Sequence, residues 1–173
     1  MNRTVVLAIF VPVLCAGQHR HDATDADRAK GVDARGDHVM GFSHENTVHH
    51  FRLYADGGAM EAEAKDPKDT RSRDEIRGHF AHIAQMFAAG NFHAPMLIHG
   101  EVPPGVPTMK RLKKDITYTF EVSDRGGRVQ IVTTNPEALK AIHDFLRYQI
   151  KDHRTGDAVE IPAAIQKLLS KGR

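Results

Sequence analysis

His79, His82 and Met86 recur at intervals of three and four residues. On a helix that spacing stacks side chains along one face. Imidazole and thioether together suit copper, and imidazole alone suits zinc or nickel. More donors of the same kind stand nearby. Met96 and His99 follow the same segment, and His49 shares its side of an alternating strand with Phe51 and Leu53, while His50 faces the other way. His143 lies at the edge of an apolar stripe made by Leu139, Ile142, Leu146 and Ile150, which aligns it with His82. Together, His79, His82, Met86, His49, Met96, His99 and His143 read as a soft, apolar-walled metal site. Copper is the first expectation and haem the alternative, since haem iron accepts His/His or His/Met axial pairs. No Cys-x-x-Cys-His run is present, so a haem here would be noncovalent. The competing reading is a half-buried helix flank, where His donates to carbonyls and Met fills gaps.

Other chemistry fails on specific residues. A zinc hydrolase helix would read His-Glu-x-x-His; here His79 and His82 are three apart with no Glu between them. Cys15 is the only cysteine, so neither a disulfide framework nor a Cys-rich zinc site can form within the chain. Gly-x-Ser-x-Gly and phosphate-loop patterns are absent. Ser43-His44 is an isolated dipeptide, and the run Lys110-Arg111-Leu112-Lys113-Lys114 reads as a solvated face. With 24 Lys and Arg against 22 Asp and Glu, the net charge is +2. No nucleic-acid partner is expected from that balance.

Residues 1–17 combine Arg3, an apolar run and a small-residue end, the pattern of a secretory signal peptide. The apolar run is too short for a bilayer-spanning helix, which needs ~20 residues. Cys15 sits where a lipoprotein would be cut and acylated, although Leu14 is not the small residue such signals favour just before the Cys. Cleavage after Ala16 or Gly17 is the other outcome. Either way the expected location is periplasmic or extracellular, with a membrane anchor only through a lipidated Cys15. A mature chain from native cells should therefore begin between about Cys15 and Gln18 by intact mass; a full-length N-terminus would contradict export, and a diacylglycerol adduct would select the lipoprotein.

The histidines need elements to hold them. Residues 18–37 are polar and rich in His, Asp and Arg, and read as a flexible tether. Residues 38–157 read as a single α+β domain. Residues 47–64 alternate on both sides of Asp56-Gly57-Gly58, a β-hairpin whose glycines accept positive φ. Asp66-Pro67 opens a helix that runs to about Ala89, with Ile76, Phe80, Ile83 and Phe87 on its core face. The order then repeats. Ile116, Tyr118, Phe120 and Val122 alternate, Gly126-Gly127 supplies a turn, Val129 and Ile131 alternate, and Asn135-Pro136 starts a helix to about Asp152. A duplicated β-hairpin–helix unit predicts a four-stranded antiparallel sheet with both helices on one face. Between the units, residues 106–114 read as a short helix. Residues 158–173 read as a tail or a short amphipathic helix.

Several stretches carry a family resemblance: Val39-Met-Gly-Phe42, Thr47-Val-His-His-Phe51, the helix of residues 66–87, Ala94-Pro-Met96, Pro103-Pro-Gly-Val106 and residues 143–157. Over roughly residues 36–157 the chain resembles an uncharacterised exported bacterial family whose members are often labelled aspartate carbamoyltransferase. That label implies a Ser-Thr-Arg-Thr carbamoyl-phosphate loop and two α/β domains. This chain has no such loop, and 173 residues cannot supply both domains. The resemblance thus implies an exported domain and no mechanism. The expectation is a non-enzymatic metal- or haem-binding domain. Its rivals are an envelope interaction or structural module without metal, and a small secreted enzyme.

Overall fold

A computed structural model describes residues 24–161. The signal segment, Cys15 and the amphipathic tail expected beyond residue 161 lie outside the described residues. The element order is α1 (Asp25–Met40), β1 (Thr47–Tyr54), β2 (Gly57–Ala64), α2 (Thr70–Ala88), α3 (His93–His99), α4 (Val106–Arg111), β3 (Ile116–Val122), β4 (Gly126–Thr133) and α5 (Pro136–Asp152). A 3-10 turn, Lys113–Asp115, leads into β3.

The four strands form one antiparallel sheet in the order β1-β2-β4-β3. The two hairpins therefore meet along β2 and β4, as the duplication predicts. Phe51, Leu53, Met60, Val129 and Ile131 are buried on one face of the sheet, and Tyr118 and Phe120 pack against the same core. Helix α2 lies across β3 and β4, and α5 lies across β1 and β2. Each helix thus covers the hairpin of the other unit, which ties the two units into one core. Phe87, Phe92 and Phe145 meet at its centre, the first two with rings 4.3 Å apart.

The glycine pairs have a different task from the one expected. Gly57-Gly58 and Gly126-Gly127 belong to the first residues of β2 and β4, and the turns are made by the residues before them. A Cβ on Gly126 would stand 2.1 Å from the Ala62 carbonyl oxygen, and one on Gly57 would stand 1.9 Å from that of Ile131. These glycines let the hairpins close along the central seam.

Helix α2 starts three residues later than expected, at Asp69, whose side chain accepts from Ser72 N–H at 3.0 Å. Helix α5 is capped by Asn135 with Pro136 behind it, as read.

The largest correction concerns the tether. Residues 25–40 are helix α1, not flexible chain. Thr24 and Asp27 form a reciprocal capping box, and Gly41 closes the other end at φ 81°. Its buried stripe is made of Ala29, Val32 and Gly36, residues small enough to leave the average composition polar. Polar bonds supply the rest of its docking. Arg28 reaches Asp152 and Glu101, Arg35 reaches the Ile98 carbonyl at 2.7 Å, and Asp33 receives Arg154.

One backbone group on the outer edge of β1 is taken by a side chain. Asp157 accepts from Phe51 N–H, His50 and Arg52 at 2.8–2.9 Å. Burial pushes its carboxyl up, but the hydrogen bonds from Phe51 and His50 hold it below the ordinary 3.8. No helix among the described residues is long and apolar enough to cross a membrane.

Candidate functional site

The inward face of β1 brings His49 to a cleft at one end of the core, and the flank of α2 brings His79 to the same place. The third imidazole is His153, the residue that caps the C-terminus of α5. Phe51, Phe80, Ile83, Phe87 and Phe145 wall the cleft, and Met40 of α1 and Met60 of β2 add two thioethers. Gln149 is its remaining polar neighbour. The cleft measures about 60 Å³.

The rings are arranged around aromatic contacts. His49 lies 6.1 Å from His153, centre to centre, with 23° between the planes. Phe42 packs on His49 at 5.6 Å and on His79 at 5.7 Å. Two residues that line the cleft each carry a buried side-chain nitrogen with no hydrogen-bond partner among the described residues: His49 Nε2 and Gln149 Nε2. Such orphans are rare in folded proteins and mark strain, a chemical role or a missing ligand.

All three imidazoles are held neutral at pH 7. Burial, then His79 beside it, pushes His49 down to about 4. Burial, then His82, pushes His79 down to about 4. Burial, then His99, pushes His153 down to about 3. A neutral imidazole carries a free lone pair, the form that binds metals.

Behind His153 stands a buried polar network. The ring of His99 lies 5.1 Å from that of His153. Its Nδ1 meets Asp152 at 2.5 Å and its Nε2 meets Gln149 Oε1 at 2.9 Å. Asp152 also accepts from Arg28 Nε at 2.8 Å. Burial raises the Asp152 carboxyl, and the bonds from Arg28 and His99 outweigh it, so the group stays below its ordinary range.

The seven expected ligands therefore divide. His49 and His79 reach the cleft. His82 is exposed, one turn along the same flank and about 60° further from the core, and Met86 is half-buried with Asn91 Nδ2 on its sulfur at 3.4 Å. Met96 is half-buried on α3 and is not a cleft residue. His99 is buried but spends both nitrogens on Asp152 and Gln149. His143 lies elsewhere. Its Nε2–H donates to the carbonyls of Tyr54 and Gly57 at 2.9 and 3.0 Å and fastens the β1–β2 turn. The buried Tyr118 hydroxyl has no hydrogen-bond partner among the described residues.

Met40, Met60, Gln149 and His153 were missed. His153 follows the last turn of α5, so helical periodicity does not place it. Met40 is the last residue of α1, a helix the sequence reading did not place.

Among the described residues, no group of three or more His, Cys, Asp or Glu is placed to hold a metal ion. A closed centre of the zinc type is not preformed there. The cleft, at about 60 Å³, is smaller than the several hundred Å³ usual for pockets that take large organic ligands.

His143 makes a separable prediction. His143→Ala should lower stability by ~1–3 kcal/mol, because two buried turn carbonyls lose their donor. Denaturant unfolding reads this. The same variant should leave copper titration unchanged, and a parallel loss of copper would return His143 to the site.

No family model matches this chain, and no curated protein and no solved structure matches it either.

Proposed function

We propose that this is an exported domain that holds one soft metal ion, copper(I), between His49 and His153 in the apolar cleft, with His79 and the thioethers of Met40 and Met60 close by. The observation that carries the reading is the buried, unpartnered Nε2 of His49, a residue that lines the cleft together with His153. Copper(I) tolerates low coordination and prefers imidazole and thioether over carboxylate. Two imidazoles bound across one ion, with metal–nitrogen bonds of ~2.0 Å, have ring centres roughly 6 Å apart. His49 and His153 stack with ring centres 6.1 Å apart, so holding one ion between them requires both rings to turn until their nitrogens, and not their faces, meet. Apolar walls exclude water and favour the singly charged ion over copper(II). Export, through the signal-like start and its Cys15, accords with a copper-handling role outside the cytoplasm.

The test is a copper(I) titration of the purified protein against a chromophoric copper(I) chelator, under anaerobic reductant. The expected result is one tightly held ion per chain, with X-ray absorption reporting nitrogen or sulfur neighbours at low coordination number. Failure to compete with the chelator, or several weak sites per chain, would leave the histidines as packing. The chain would then read as an interaction module.

A further inference from the structure

The two outer strands of the sheet are treated differently. The bond from Ser123 N–H to the Gly126 carbonyl, 3.1 Å, fixes the phase of the β3–β4 ladder. By the antiparallel alternation, Thr117, Thr119 and Glu121 direct their N–H and C=O groups into β4. Tyr118, Phe120 and Val122 direct theirs outward. On the opposite edge, the bond from Lys65 N–H to the Asn46 carbonyl sets the same kind of phase. It leaves the N–H groups of His49, Phe51 and Leu53 pointing outward, and Asp157 takes the central one, that of Phe51. No described residue does the same for β3.

We propose that the free edge of β3 is a homodimer interface, at which two copies pair their β3 strands antiparallel about Thr119 to form one eight-stranded sheet. Four features select a second copy as the occupant. The outward groups of Tyr118 and Phe120 fall opposite one another in this register, so their N–H and C=O groups exchange directly. The side chains also match: Tyr118 meets Phe120 twice, an aromatic cross-strand pair. Both rings are only half-buried in one chain. Ile116 falls opposite Val122, which is 67% exposed alone. Charge agrees as well. Lys114, just before one strand, approaches Asp124, just after the other, while Glu121 keeps Arg128 of its own chain. Glu121 faces Thr117 and not its own copy. The strand contains no Pro or Lys, the usual devices that block edge pairing.

A seven-residue strand buries less than a standard interface of ~1,200 Å² or more, so the affinity should fall in the micromolar range. The inference does not depend on copper binding. The test combines sedimentation with amide hydrogen exchange of the purified protein over about two decades of concentration. The expected result is a rise to the dimer mass, with the amides of Tyr118, Phe120 and Val122 slowing in parallel. Those of Thr117, Thr119 and Glu121 should be protected throughout. Val122→Pro removes one outward donor and no β4 bond. It should stay monomeric at the highest concentration while the inner amides keep their protection, which shows that the sheet is intact. Three results would overturn the proposal. They are a monomer at all concentrations, a dimer whose outward amides exchange freely, and outward amides protected equally at every concentration. The last would mean that the chain's own termini cover the edge.

Discussion

His153→Ala and His49→Ala are each expected to lower copper(I) affinity by at least about a hundredfold. Outer-shell partners of a metal are typically worth 10–100-fold, and these two imidazoles are the proposed ligands themselves. His79→Ala should cost about tenfold, since His79 lines the cleft but a linear pair needs only two nitrogens. His82→Ala should change the affinity by less than about twofold, because His82 is exposed to water and does not line the cleft. The same holds for His50→Ala, whose Nδ1 is spent on Asp157. Each variant removes one imidazole from a chain with twelve. Nonspecific binding would therefore fall equally in all five. Competition titration against the chromophoric chelator gives the affinities, and thermal melts without metal show whether each variant folds. Equal affinities across the series would rule out the cleft as the site. A selective loss in His82→Ala would restore the exposed stripe as the metal site.

Much of this arrangement was legible in the sequence, and the rest was hidden for identifiable reasons. Strict alternation around Phe51, Leu53, Tyr118 and Phe120, and the stripe Ile76, Phe80, Ile83 and Phe87, each report one buried face. Those patterns define the sheet and the two long helices because burial on one side leaves a period. Helix α1 left almost none. Its buried positions are Ala29, Val32 and Gly36, and its docking rests on arginine bonds to residues far along the chain. No local pattern foretells those partners. The histidine stripe on α2 was correctly placed on a helix, but a flank has two limits. His79 borders the core and His82, further round, borders water. His143 was correctly read as near the core, yet its partner is a turn in the other unit. His153 depends on where α5 stops and the chain turns, with Arg154 at φ 54°. That is a matter of chain path and not of period.

The buried network behind the cleft should be the most costly single place to disturb. Asp152 accepts from His99 and from Arg28, and the His99 side chain is fully enclosed. Asp152→Ala leaves the His99 Nδ1–H without an acceptor and frees Arg28 from α5. Losing one partner of a buried pair costs on the order of 3 kcal/mol. That corresponds to a fall of roughly 6–12 °C in the melting midpoint for a chain of this size. Arg28→Ala should cost much less, about 1 kcal/mol, because that side chain is two-fifths exposed and water replaces its bonds. The two variants also differ in what they disturb. Both should loosen α1, seen as faster amide exchange across residues 25–40. Only Asp152→Ala removes the support of the His99 ring, which packs edge-on against His153. Its copper(I) affinity should therefore drop by about tenfold while Arg28→Ala keeps the affinity of the parent. Asp152→Asn separates size from charge. Its carboxamide oxygen can still accept from His99, but its NH₂ opposes Arg28, so copper binding should recover more than stability does. An Asp152→Ala protein that melts with the parent would show that His99 finds another acceptor and that α1 is held by its small-residue stripe alone.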